Sequence, residues 1–465
     1  AKAMQLKPLT IGAGLAVLLA PVAFPAPAGM SDLAWHASGL AVTMVLWWLT
    51  EALPLAATAL LPLAVAPIMG LTDLDDTARS YSDPLVILFL GGFLIAKAIE
   101  KSGLHRRLAG SLLRHAGTSP HRVLGALMLC TAFLSLWISN TASAMVVAPI
   151  AAAIVTSQDD QPSFGTALML GVAFSATIGG MGSLIGTPPN AIFASYVSTT
   201  YGVDICFAQW AMVGVPVALI LLVVTWLFLA WVTPGLEARE LVLSHHPQDT
   251  PANSAERRVA VIAGLTAAAW LSRPLIIRLF PEIAITDAGI AMIAAIALFI
   301  VPDANGKRLL DWDTAASLRW DVLILFGGGL ALADILQSSG LAQLLGGSVQ
   351  AISHWPEFAV LLVIAGFIVY LGELASNTAM AAIFLPIAGV VATNFGVDPI
   401  VFLIPIALAA SVGFMLPVAT PPNAIVFANP AVTRANMLRA GAPLDLIALV
   451  ITVSVSSLLG KALFG

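Results

Sequence analysis

The sequence predicts an all-α polytopic membrane protein of about eleven transmembrane helices and two re-entrant hairpins, built as two inverted repeats. Three observations lead there. The first is composition: 59% of the 465 residues are hydrophobic and only 10% charged, with a mean hydropathy of +0.96. A water-soluble fold needs far more charge to cover its surface, whereas many apolar runs here approach the roughly 20 residues that cross a bilayer. The second is internal repetition: residues 85–104 and 322–341 align without a gap and share nine of twenty identities. The third is two pairs of polar strings inside apolar runs, Ser139-Asn140-Thr141 with Thr187-Pro188-Pro189-Asn190, and Ser376-Asn377-Thr378 with Thr420-Pro421-Pro422-Asn423. Hydroxyls, carboxamides and prolines at such depth are costly in lipid unless they face protein, water or ligand.

Ala1 to Met4 read as a cloning remnant, so 9–29 is expected as a first span rather than a cleaved leader, weakened at its end by Pro21, Pro25 and Pro27. Residues 36–70 are long enough for two spans with a tight turn near Glu51 and Pro54. An acidic loop with Asp73, Asp75, Asp76 and Asp83 precedes a span at 85–99. The stretch 104–116, with Arg106, Arg107, Arg114 and His115 among leucines, is amphipathic and is expected at the interface. The first Ser-Asn-Thr divides 124–155 into two arms, each too short to cross alone and together longer than one crossing. A re-entrant hairpin over about 121–155, closed by Asp159 and Asp160, is the favoured reading; one long tilted helix is the alternative. The glycine-rich segment leading to Thr187-Pro188-Pro189-Asn190 predicts a helix broken in mid-membrane over about 165–200. A span at 207–233 and a polar linker follow.

The second half repeats this order. Ser376 lies 376 − 139 = 237 residues after Ser139, the offset of the aligned glycine-rich spans, and the Thr-Pro-Pro-Asn copies are offset by 420 − 187 = 233. Spans are expected at 257–280, 284–301 and 321–337, then a surface piece to about 354, a second hairpin at 357–391, a second broken helix at 398–429 and a last span at 441–464. The domains are therefore 1–34, a first repeat 35–233, a cytoplasmic linker 234–256, a second repeat 257–440 and a C-terminal span 441–465. Five crossings separate the hairpins, an odd number, so they enter from opposite faces and the repeats are inverted. With the N-terminus inside and the C-terminus outside, 16 of the 20 Lys and Arg are cytoplasmic, in line with the positive-inside rule.

A hairpin tip at mid-membrane leaves backbone N–H and C=O groups without helical partners. Half-helix N-termini and hydroxyls suit carboxylates; carbonyls and helix C-termini suit sodium. Asn140 and Asn377, donor and acceptor at once, can touch ion and substrate together, and Thr141 and Thr378 add hydroxyls. Two such tips fit a substrate with a carboxylate at each end. No Arg or Lys lies in the tips or the Pro-Pro-Asn breaks, so bound cations are the remedy for a dianion's charge, which argues for sodium symport over exchange.

The paired Ser-Asn-Thr strings, each followed by a Pro-Pro-Asn break, resemble the divalent anion/sodium symporter family, which includes bacterial INDY-type dicarboxylate transporters and animal sodium-citrate carriers. The likeness covers nearly the whole chain and is closest at 137–143 and 414–427. It implies substrate contact by Asn140, Thr141, Asn377 and Thr378, one sodium site at Ser135, Ser139, Asn140 and Gly186, and a second at Gly372, Ala375, Asn377 and Ala419. It further implies a homodimer in the bacterial inner membrane and an elevator motion of a transport domain against a scaffold. Gly372 stands where the family has a hydroxyl, which predicts a weaker or altered second sodium site served by a backbone carbonyl.

Sodium-driven uptake of a four-carbon dicarboxylate such as succinate, malate or fumarate is the leading reading. The rivals are a citrate or sulfate carrier, a sodium-independent exchanger, or a channel lined by the two hairpins. An enzyme is not expected, since Ser139 and Ser376 have no His or Lys partner at hairpin depth. Nor is a cofactor expected besides sodium as coupling ion, a metal cluster, a nucleic-acid partner, or a disulfide between Cys130 and Cys206. Glu51, Asp334 and Glu373 read as structural carboxylates before functional ones, and Gly91-Gly92 and Gly327-Gly328-Gly329 as close helix packing before nucleotide loops.

Overall fold

A computed structural model describes residues 2–156, 162–233, 251–347 and 355–465. The Asp159-Asp160 turn, most of the expected linker (234–250) and the end of the surface piece (348–354) lie outside them. The described residues form helices, with one isolated β-bridge between Pro302 and Arg308 and no strand.

Among the described residues, eight helices are long and apolar enough to cross a membrane, and several shorter apolar helices accompany them. The 36–70 stretch differs from expectation. Only Asp32–Thr50 is a full-length helix; the rest is two short pieces, Leu55–Thr58 and Leu61–Val65. Glu51 ends the long helix in a left-handed conformation (φ 46°) with its N–H on the Trp47 carbonyl, and Pro54, Pro62 and Pro67 prevent a second continuous helix. Glu51 is thus an exposed helix terminator.

Helix starts follow side-chain caps. Ser31 accepts from the Ala34 N–H, Asp398 from those of Ile400 and Val401, and Asn253 and Glu256 cap each other's amides. The glycines of the aligned spans Pro84–Ser102 and Trp320–Ser338 are packing positions: a Cβ on Gly91 would overlap Ala291, and one on Gly328 would overlap Ala59. The repeat-related Phe89 and Phe326 meet edge to face at 4.7 Å.

Four two-part elements make the core. The helices Pro120–Ser135 and Asn140–Thr156 flank the first Ser-Asn-Thr turn; Glu357–Gly372 and Asn377–Phe395 flank the second. Both strings therefore interrupt a helix. The outgoing arm of the second pair, at 19 residues, is longer than expected and reaches spanning length. The broken helices are Pro162–Met181 with Pro188–Tyr201, and Pro399–Ala409 with Pro421–Phe427. Pro188 and Pro421 each open the second piece, where a missing N–H costs nothing but forbids continuation from the piece before.

Packing across the halves joins these parts. Pro188–Tyr201 lies on Asn377–Phe395, Pro421–Phe427 lies on Asn140–Thr156, and Phe174 meets Phe414 at 5.0 Å between ring centroids. Pro162–Met181 is almost wholly enclosed, with 94% of its most apolar window buried, whereas Ser254–Leu279 has 11% buried and faces outward. The helix Arg434–Phe464 closes the core, with Gly441 pressed on the Phe414 backbone. A Cβ at Gly441 would overlap the Phe414 carbonyl, so Gly441→Val should cost about 1–3 kcal/mol. The unfolding midpoint in detergent will report it, read by a thiol-reactive dye that reaches the buried Cys130 and Cys206 only on unfolding.

Candidate functional site

The first tip is built from the end of one arm and the start of the next. Ser135 is the last residue of the incoming helix, and 3₁₀-type bonds from Leu136 and Trp137 to Phe133 and Leu134 tighten the turn. Ser139 accepts from the Ala142 N–H at 3.2 Å and so caps the outgoing helix, while the Asn140 carbonyl accepts from Ser143 Oγ at 2.9 Å. Ser183 Oγ donates to the Leu136 carbonyl at 2.6 Å, tying the first break to the tip.

The Asn140 carboxamide sits in a shell of oxygens: Ser135 Oγ at 2.7 Å, the Ala176 carbonyl at 3.1 Å and the Gly186 carbonyl at 3.2 Å. Ser135 Oγ also donates to the Ala176 carbonyl at 2.6 Å. With its nitrogen inward, Asn140 donates to all three; with its oxygen inward, it accepts from Ser135 Oγ at 2.7 Å and adds an oxygen to a set that suits a cation. Two glycines permit this. A Cβ on Gly180 would overlap Asn140, and one on Gly186 would overlap the Gly180 carbonyl. Ser135, Asn140 and Gly186 of the expected first sodium site are thus together, Ala176 joins them, and the adjacent Ser139 uses its hydroxyl to cap the outgoing helix.

The second tip has the same plan with one group missing. Asn377 Nδ2 donates weakly to the Ser411 carbonyl at 3.4 Å, and its buried Oδ1 has no hydrogen-bond partner. Gly372 lies against it: a Cβ there would be 3.8 Å from that oxygen, in ordinary contact. The equivalent position in the first tip, 372 − 237 = 135, is Ser135, whose hydroxyl reaches Asn140. Ala375 and Ala419 are buried beside the tip and its break, and Thr378 is buried.

Each break is stitched by its own asparagine. Asn190 Nδ2 donates to the carbonyls of Ser183 (2.8 Å) and Gly180 (3.2 Å); Asn423 Nδ2 donates to those of Leu416 (2.9 Å) and Gly413 (3.1 Å). These acceptors correspond at the 233-residue offset, 183 to 416 and 180 to 413. The second break also has two buried carboxyls. Glu373 accepts from the Met415 and Leu416 N–H groups (3.0 and 2.7 Å), and Asp445 accepts from the Phe414 N–H (2.9 Å). Glu373 is therefore a backbone clamp, as its structural reading expects. Asp334 likewise accepts from Ser80 Oγ at 3.0 Å. Sequence reasoning passed over Asp445, although an acid alone in the last apolar run was a usable signal.

A cavity of about 630 Å³ opens beside the first tip. Ser139, Thr141 and Ala142 line it together with Lys97, Glu100, Arg106 and Arg319. Its size suits a small ligand. Asn377 and Thr378 are not in its wall. Cations absent from the tips thus stand in the space that leads to one of them.

Residues 7–465 match the sodium:sulfate symporter transmembrane region. The sodium-dependent dicarboxylate transporter SdcS of Staphylococcus saprophyticus is 34% identical over 97% of this chain and 92% of its own length. SdcS of Staphylococcus aureus strain USA300 is also 34% identical, over 98% and 92%. Among solved structures, the fold is similar to the Alcanivorax borkumensis YdaH transporter (TM-score 0.57, 16% identity, 82% of this chain and 86% of that one). It is also similar to Neisseria gonorrhoeae MtrF, an antimetabolite efflux pump (TM-score 0.58, 12% identity, 83% of each chain).

The gap beside Asn377 Oδ1 admits a hydroxyl. Gly372→Ser should lower the sodium concentration that half-stabilises the purified protein against heat; superimposable sodium titrations for variant and parent would show that position 372 does not touch the ion.

Proposed function

Because this chain belongs to the sodium:sulfate symporter family, we infer that it is a secondary active transporter that couples dicarboxylate movement to sodium. The cargo is a four-carbon dicarboxylate: succinate, malate or fumarate. The observation that carries this reading is the oxygen shell formed by Ser135, Asn140, Ala176 and Gly186 at the first tip. It has cation-coordinating chemistry without a fixed negative charge, so an ion bound there brings net positive charge for a dianion.

In this mechanism Asn140, Thr141, Asn377 and Thr378 contact substrate, the first tip's N–H groups and the Thr141 hydroxyl meeting one carboxylate and the second tip the other. Sodium is held at Ser135, Ser139, Asn140 and Gly186, and more weakly at Gly372, Ala375, Asn377 and Ala419. Sodium at each tip draws the asparagine oxygen inward and frees the amide N–H₂ for substrate, so ion and anion bind together. The repeats 35–233 and 257–440 are inverted, and the paired helices at 121–155 and 357–391 enter from opposite faces. The protein is a homodimer of about eleven spans per chain in the bacterial inner membrane, N-terminus inside and C-terminus outside. The hairpins and broken helices move as an elevator against the remaining helices.

Purified protein in liposomes should take up labelled succinate only down a sodium gradient, and internal succinate should accelerate that uptake; a channel would show no such trans-stimulation. Asn140→Ala and Asn377→Ala should each abolish sodium-driven uptake and the rise in unfolding midpoint that sodium gives the parent, while both variants still show a cooperative unfolding transition. Full uptake by both variants would remove the tips from the site.

A further inference from the structure

The cavity beside the first tip is electrostatically lopsided. Of the charged groups in its wall, Lys97 pairs with Glu100 at 2.8 Å, and Arg319 is held by both oxygens of Asp321 (2.9 and 2.8 Å). Arg106 is exposed and has no carboxylate partner among the described residues. Lys97 and Arg319 are thus balanced by Glu100 and Asp321, and the guanidinium of Arg106 is left as the free positive fork of the wall. A concave, low-dielectric wall of one sign concentrates counter-ions and raises their capture rate, and a guanidinium fork matches a carboxylate in geometry as well as charge.

These cations are not inherited from the duplication. At the 237-residue offset Lys97 corresponds to Asp334, Arg106 to Gln343, and Arg319 to Ser82. The related place in the other half therefore carries an acid, hydrogen-bonded to Ser80. The cationic triplet is therefore particular to the cavity beside the first tip.

We propose that Arg106, with Lys97 and Arg319, forms an anion-capture station in the cavity, where one carboxylate of a dicarboxylate docks while the other reaches the Ser139–Thr141 tip. The station reads the second charge of the substrate, so a dianion is favoured over a monoanion of the same length. This rests on the dicarboxylate reading above.

The test uses Arg106→Cys in the full-length protein, whose native Cys130 and Cys206 are buried. The purified variant is left free, or modified in detergent with a cationic (trimethylammonium) or an anionic (sulfonate) methanethiosulfonate, then reconstituted for succinate counterflow. Half-saturation by succinate should rise about 10-fold in the free variant, return to near the parent value with the cationic adduct, and rise further with the anionic one. Monomethyl succinate, a monoanion, should compete almost equally in all three forms, and added salt should weaken succinate most in the parent. Equal succinate half-saturation in the three forms, with an active parent, overturns the station and leaves the transport reading intact. A parent that does not exchange succinate overturns both. If Arg106→Cys does not reconstitute, Arg106→Lys and Arg106→Gln are compared in the same assay: retention by Lys and loss by Gln supports the station, and equality refutes it.

Discussion

A helix interrupted inside an apolar core leaves carbonyls and amides that water cannot reach, and the whole architecture depends on how they are satisfied. One carboxamide per half does most of it. Asn190 and Asn423 each gather carbonyls around the turn before the Pro-Pro pair, two of them at matching positions, and Asn190 also reaches that of Met181. Each buried unpaired backbone group would cost several kcal/mol in a medium without water. Once the turns are fixed, the glycines at 180 and 186 can bring backbone oxygens up to Asn140, and the oxygen shell exists without any charged side chain in it.

The halves share a plan but differ in chemistry. The first tip has a serine hydroxyl against its asparagine, and the second has Gly372 and an asparagine oxygen without a partner. The second break is clamped by Glu373 and Asp445, where the first relies on neutral groups such as Ser183 and the Trp210 indole, which donates to the Met181 carbonyl. Two buried carboxyls near one tip, and cations in the cavity by the other, give the molecule an electrical direction that its repeat symmetry lacks.

Much of this was legible in the residues. The two helix interruptions fall at Ser139 and Ser376, and the glycine strings pack closely, because prolines, hydroxyls and bare backbone inside an apolar run allow few other outcomes. The grouping of Ser135, Asn140 and Gly186 followed from family resemblance rather than from spacing. The cavity was not legible: Lys97, Arg106 and Arg319 come from separated segments, and each alone reads as a solvated interfacial charge. The shape of 51–70 was missed because hydropathy registers apolar length, whereas Glu51 and three prolines decide whether that length is one helix.

The clasp on the second break has a mechanical meaning. Phe414 is bonded through its N–H to Asp445, and Gly441 lies flush on its carbonyl, both residues from the final helix. The first break is gripped similarly by the helix that follows it, through Trp210 and through Gly214 against Met181. Neither helix can slide past its turn without breaking a buried bond and a backbone-to-backbone seam. Each of these two helices therefore forms one mechanical unit with the break it grips, and a displacement of either turn would drag its neighbouring helix along.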